Sequence, residues 1–111
     1  MKERLSCEAV RLLTRTFVLF AAICLDKPGS LDLRLSTRSA HLEFLEAHAP
    51  RVKLGGPFLD AEERPIGSLL ILECANLVAA QALLDEDPYA KAGLFASVEV
   101  KPFRRVVGAE L

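Results

Sequence analysis

The run Phe17-Val18-Leu19-Phe20-Ala21-Ala22-Ile23-Cys24-Leu25 is almost wholly apolar and rich in β-formers. Its length fits a strand buried on both faces. Asp26 to Ser30 breaks the run, with Pro28 and Gly29 supplying turn chemistry. From Leu31 to His48 the spacing becomes helical. Leu35, Leu42, Leu45 and Ala49 mark an inner face, and Arg34, Arg38 and His41, spaced by four and then three, form a stripe beside it. Ser30 or Asp32 is placed to cap this helix, and Pro50 to end it. Val52 to Leu59 reads as a strand interrupted at Gly55-Gly56, where a bulge or a close approach by another group is expected. Asp60 to Pro65 is a polar hairpin connection, and Ile66 to Cys74 is the returning strand. Asn76 suits the N-cap of a short helix over Leu77 to Leu84. Phe95 to Lys101 alternates apolar and polar with period two, and Pro102 is expected to end it.

The order strand, helix, strand, strand, helix, strand is the ferredoxin-like arrangement, an α+β fold with an antiparallel sheet and two helices on one face. The domain spans residues 17–103. Residues 1–16 read as a loosely held N-terminal extension and residues 104–111 as a tail. The other face of the sheet carries enough apolar residues to form a large exposed patch, which a sheet-on-sheet homodimer would remove. Between the second helix and the last strand, Pro88 disfavours the α region for Asp87, so the chain leaves the helix there. Gly93 can then take a left-handed conformation and turn the chain into the strand. An aspartate is thereby fixed at an element boundary. Read locally it is a helix stop, and His41 is the best candidate for a partner that would make it more.

Half of the 111 residues are apolar and 26% are charged, with a net charge of −1, which suits an ordinary single domain and gives no bulk attraction to nucleic acid or anionic lipid. There is no Trp, so a base-stacking platform is poorly supported. Cys7, Cys24 and Cys74 are widely spaced and odd in number, which argues against a disulfide framework or a zinc knuckle and for a reducing cytoplasm. The run Phe17 to Leu25 is too short to span a bilayer. No metal or flavin site is legible, and Gly55-Gly56 precedes a Pro and a strand rather than a phosphate-cradling helix.

Asp26-Lys27-Pro28-Gly29-Ser30, then Arg34, Arg38 and His41-Leu42, then Gly56-Pro57, Gly67-Ser68, Asp87-Pro88-Tyr89, Ala92-Gly93-Leu94-Phe95 and Pro102-Phe103 together resemble the YCII-related family. The similarity covers roughly Phe17 to Phe103. Each motif alone is weak, and their order and spacing are the specific part. The resemblance implies a dimeric ferredoxin-like α+β barrel similar to that of muconolactone isomerase and small monooxygenases. It also implies a histidine and an aspartate proposed as an active-site pair, as in a related chlorohydroxyquinol dehydrochlorinase. In this sequence they match His41 and Asp87. The departure is the extension before Phe17, since members usually start close to that strand.

A histidine titrates near neutral pH and can exchange a proton, and a carboxylate on one ring nitrogen fixes its tautomer and stabilises the imidazolium. Arg34 and Arg38 would bind an anionic substrate, Ser30 and Ser68 would orient a substrate oxygen, and Tyr89 would supply a wall with a polar tip. On the residues alone, the arginines read first as solvated cations, and His41 and His48 as satisfied boundary histidines; it is the resemblance that favours the His41–Asp87 pairing. Two classes of function follow. One is a cofactor-free lyase or isomerase acting on a small, oxygenated or chlorinated ring compound. The other is a non-catalytic module that binds a small ligand or a partner. The first requires a pocket where His41 and Asp87 meet, and the second an open apolar patch.

Overall fold

The structure is a computed structural model, and it describes residues 17–109. The extension over residues 1–16, with Cys7, and the last two residues of the tail lie outside the described residues. Strand β1 (Val18–Asp26) leads through the Lys27–Ser30 turn into helix α1 (Leu31–Ala47). Strands β2 (Val52–Leu59) and β3 (Pro65–Cys74) form a hairpin. Helix α2 (Leu77–Asp85), the short helix α3 (Pro88–Lys91) and strand β4 (Phe95–Phe103) complete the chain. The sheet runs β2-β3-β1-β4 with every pair antiparallel. This is the ferredoxin-like α+β arrangement that the order of elements implied. Among the described residues, no helix is long and apolar enough to cross a membrane.

Alternation along the two central strands decides where the core sits. Phe20, Ala22 and Cys24 of β1 pair with Leu72, Leu70 and Ser68 of β3, and all six are buried on the helix side. Ala80, Leu83 and Leu84 of α2 close over them, with Cys74. Asn76 caps α2 as expected, accepting from the Ala79 N–H at 2.8 Å. The residues between, Leu19, Ala21, Ile23, Leu69 and Ile71, face the other side and are only partly buried.

Three expectations need correction, and one pair of alternatives is decided. The inner face of α1 is not the leucine stripe: Arg34 and His41 are its buried residues, while Leu35 and Leu42 are 53% and 43% exposed. The reason is that polar partners wait beneath the helix, so the charged stripe turns inward. Ser30 stands at the N-cap position of α1, yet its side chain makes no capping bond. Gly55 and Gly56 pair regularly with Leu70 and Leu69, and the register shifts of β2 lie at its two ends, so of the two alternatives the close approach holds, at Gly55, where the Leu70 side chain stands against the backbone. Pro102 does not end β4, which runs on to Phe103. β4 pairs only with β1, and an edge strand tolerates a residue with no N–H.

The stretch between α2 and β4 holds a helical turn that periodicity alone did not resolve. Asp87 has extended backbone, at φ −63° and ψ 128°, and its carboxylate caps α3 by accepting from the Tyr89 N–H. Pro88 occupies the first turn, where its missing N–H costs nothing. Gly93, at φ 76°, then turns the chain into β4.

Candidate active site

Three local features bring a set of side chains together under α1. The 3.6-residue repeat puts Arg34, Arg38 and His41 on one side of that helix. The Pro88 break fixes Asp87 beneath it, and the capped turn of α3 presents Tyr89 two residues on. His41 Nδ1 lies 2.8 Å from Asp87 Oδ1, with the histidine 6% exposed and the aspartate 1%. An ionised carboxylate only accepts, so Nδ1 carries the hydrogen and donates it. That leaves Nε2 as the nitrogen available to a molecule beside the ring. The same Asp87 oxygen accepts from the Tyr89 N–H at 2.9 Å.

The Tyr89 ring stacks on the His41 ring, with centroids 4.0 Å apart and planes at 19°. The Arg34 guanidinium lies over the Tyr89 ring at 4.5 Å, a cation–π contact. Arg34 and His41 are seven residues apart, about 10 Å along the helix axis. The Tyr89 ring thus meets both residues. Phe95 packs against Tyr89 in a T-shaped contact, with ring centroids 6.1 Å apart and planes at 78°. Burial pushes the Tyr89 phenol up, against the pull of Arg34 and Arg38, so it stays protonated near neutral pH.

Arg34 is buried below the helix. Its Nε donates to Asp26 Oδ2 at 2.7 Å, and its Nη2 donates to Asp26 Oδ1 at 3.0 Å and to Ser68 Oγ at 2.8 Å. Burial works against the charge, but the bonds and charge of Asp26 outweigh it and hold the guanidinium above its ordinary value. Cys24, next to these groups on β1, is pushed up to about 12 by burial and then by the negative charge of Asp87. It is a neutral thiol in any physiological range.

A cavity of about 240 Å³ opens beside this cluster. His41, Arg34, Arg38, Ser68 and Tyr89 line one part of it. Leu35, Leu42 and Leu45 of α1 form an apolar wall, and Gly55, Gly56 and Pro57 of β2 face them. Asp87 stands behind His41 rather than in the lining. Arg38 is exposed at the cavity, and among the described residues it has no ion-pair partner.

The structure thus brings together six of the seven residues singled out in the sequence: His41, Asp87, Arg34, Arg38, Ser68 and Tyr89. Ser30 is not among them. It lines a separate cavity of about 500 Å³ between the β1–α1 turn and the β2–β3 hairpin, with Lys27, Asp60 and Arg64. Ser68 is occupied in accepting from Arg34. Asp26, which holds Arg34, escaped the sequence reading, because an acid at the end of an apolar strand looks like the first residue of a turn. The leucines of α1 were legible as apolar and read as core: Leu45 does pack against the core while also lining the cavity, whereas Leu35 and Leu42 are exposed cavity wall.

Residues 18–104 match the profile of the YCII-related domain. The chain belongs to the YCII-related family. Within it, protein YciI of Escherichia coli O6:H1 is 38% identical over 97 residues, covering 80% of this chain and 99% of that protein. Among solved structures of similar fold, the 5-chloro-2-hydroxyhydroquinone dehydrochlorinase of Burkholderia phenoliruptrix, in complex with 2,5-dihydroxybenzoquinone, superposes with a TM-score of 0.75. It is 34% identical, and the match covers 79% of this chain and 95% of that one. A structure from Bacteriodes thetaiotaomicron with a provisional antibiotic biosynthesis monooxygenase description reaches a TM-score of 0.56 at 14% identity, covering 87% of this chain and 97% of its own, and shares the fold.

Proposed function

We propose that this YCII-related protein is a cofactor-free lyase or isomerase that moves a proton on a small anionic ring compound. The observation that carries the reading is the His41 Nδ1–Asp87 Oδ1 contact at 2.8 Å, set behind a cavity that the histidine lines. In this reading His41 Nε2 takes a proton from a ring hydroxyl or an acidic carbon, and Asp87 stabilises the imidazolium that forms. Returning the proton at another position isomerises the ring. Releasing the electron pair onto a leaving anion makes the reaction an elimination. Tyr89 supplies a flat aromatic surface against the imidazole and keeps water from that face. Arg34, Asp26 and Ser68 hold Tyr89 from below. The leucine wall of α1 shields the site and favours an apolar ring over a hydrated chain.

The dehydrochlorinase among the solved structures supports the ring-compound class, since its name states elimination from a chlorinated hydroxyquinol and its bound molecule is a single oxygenated ring. The test is direct. The purified protein, with no metal or cofactor added, is incubated with a panel of hydroxyquinols, chlorinated hydroxyquinols and small aromatic acids, with reaction followed by absorbance and binding by thermal shift. Turnover of at least one ring compound is expected. A panel in which nothing reacts and nothing raises the melting temperature rejects the reading.

A further inference from the structure

Two arginines four residues apart on α1 have opposite surroundings. Arg34 is 4% exposed, and Asp26 meets its charge with two hydrogen bonds. Arg38 is exposed, lines the same cavity, and among the described residues has no carboxylate partner. Three residues before His41, it is that ring's neighbour on the helix surface. A free guanidinium beside the mouth of a small cavity attracts an anion, and its fork suits a pair of oxygens. The buried arginine has no charge to spare for this.

Across the cavity, β2 is reduced to Gly55-Gly56-Pro57. Val52, Leu54, Phe58 and Leu59 of the same strand all carry large side chains, so β2 is pared down only where it faces α1 across the cavity. Register places Gly55 opposite Leu70, on the buried side of the sheet. The backbone does not demand glycine there. Positive φ among the described glycines belongs to Gly29, Gly93 and Gly108. What Gly55 supplies is room. A Cβ at this position would stand 2.7 Å from Leu70 Cδ2 and 3.9 Å from Leu45 Cδ1, and both of those leucines line the cavity. Any side chain at residue 55 therefore grows into the space between the sheet and α1.

The geometry points to a division of labour in which Arg38 sets the charge preference of this cavity and Gly55 keeps its room, so that it takes a ring acid over a neutral ring and loses that ring when residue 55 gains a side chain. This rests on reading the cavity as a substrate site and adds the two residues that decide which molecules enter. The volume of about 240 Å³ lies below the roughly 300–1,000 Å³ of sites for drug-sized ligands and leaves ample room for an aromatic ring.

Calorimetric titration with two probes tests it. The probes are 2,5-dihydroxybenzoquinone (acidic) and hydroquinone (neutral). The protein should bind the first at least tenfold more tightly than the second. Arg38→Gln should weaken the first by tenfold or more and leave hydroquinone unchanged. Gly55→Ala should weaken the first, and Gly55→Val should abolish it. Circular dichroism checks each variant, and if the valine variant does not fold, the alanine variant carries the size test. No binding of the ring acid, equal binding of hydroquinone, full affinity in Arg38→Gln, or full affinity in Gly55→Ala would each overturn the assignment. The expected binding pattern without turnover refutes catalysis and leaves the assignment standing. Turnover that depends on neither Arg38 nor Gly55 does the reverse.

Discussion

Asp87 and Tyr89 are joined by a hydrogen bond that serves two purposes at once. The Tyr89 N–H donates to Asp87 Oδ1 at 2.9 Å, and that same oxygen receives the His41 Nδ1 hydrogen at 2.8 Å. The cap that starts α3 is therefore also the support of the candidate dyad. Fold and site share one atom, and the position of the histidine's partner is set by local backbone chemistry.

Sharing that atom separates two substitutions at the same position. Asp87→Asn keeps an oxygen for the Tyr89 N–H, so its loss of stability should be small, under about 1 kcal/mol. Asp87→Ala removes the cap, at about 0.5–2 kcal/mol, and leaves a buried ring N–H without a partner, at about 1–3 kcal/mol more. Urea unfolding of the two variants checks the order. Equal losses would show that the cap does not depend on that oxygen.

The buried pair beneath Tyr89 gives a second outcome. The side chains of Arg34 and Asp26 are 5% and 6% exposed. Arg34→Met or Asp26→Asn alone strands a charge in the interior and should cost about 3–5 kcal/mol. The double variant should recover part of that cost. A double-mutant cycle by chemical denaturation measures the coupling, and simple additivity of the two losses would contradict it.

Much of this was legible beforehand, and the reasons differ by residue. The fold followed from apolar periods that are long and clean, as in Phe17 to Leu25. Asp87 was legible because a proline after an acid restricts the backbone in a way that no packing reverses. The orientation of α1 was not legible. Its leucines keep a helical spacing, and hydrophobicity alone turns them inward. Polar partners turned the other stripe inward instead: Asp26 and Ser68 hold Arg34, and Asp87 holds His41. Ser30 misled for a related reason. Its place before a helix says nothing of which cavity that helix end borders.

Cys24 supplies a dependence on pH. Burial, with the charge of Asp87 added, raises this thiol from 9.0 to about 12. The folded chain therefore keeps a proton that the unfolded chain releases. Stability is fully present below pH 9 and falls between pH 9 and about 12, by up to about 1.4 kcal/mol per pH unit from this group. Denaturation midpoints across that window should decline. In a Cys7→Ser background, native protein at pH 8 should resist a thiol reagent until denaturant is added. Prompt labelling of Cys24 in the folded state would contradict the burial.

The face of the sheet away from the helices sets the expected assembly. Leu19, Ala21, Ile23, Leu69 and Ile71 form a contiguous half-covered apolar surface across β1 and β3. We expect a homodimer with these faces packed together, removing them from water. Sedimentation at micromolar concentration should show twice the chain mass, and Ile71→Asp should give a folded monomer. A wild-type monomer at that concentration would count against the interface.

The central claim is that His41, oriented by Asp87, moves the proton. The measurement that tests it most directly is kcat for the best ring compound of the panel, compared among the wild type, His41→Ala and Asp87→Asn. All three should be folded by circular dichroism. General acid–base catalysis contributes about 10²–10⁴ in rate, so His41→Ala should fall by at least about a hundredfold. Asp87→Asn should fall as well, because an amide cannot stabilise the imidazolium as a carboxylate does. Folded variants that turn over substrate at the wild-type rate would contradict the account.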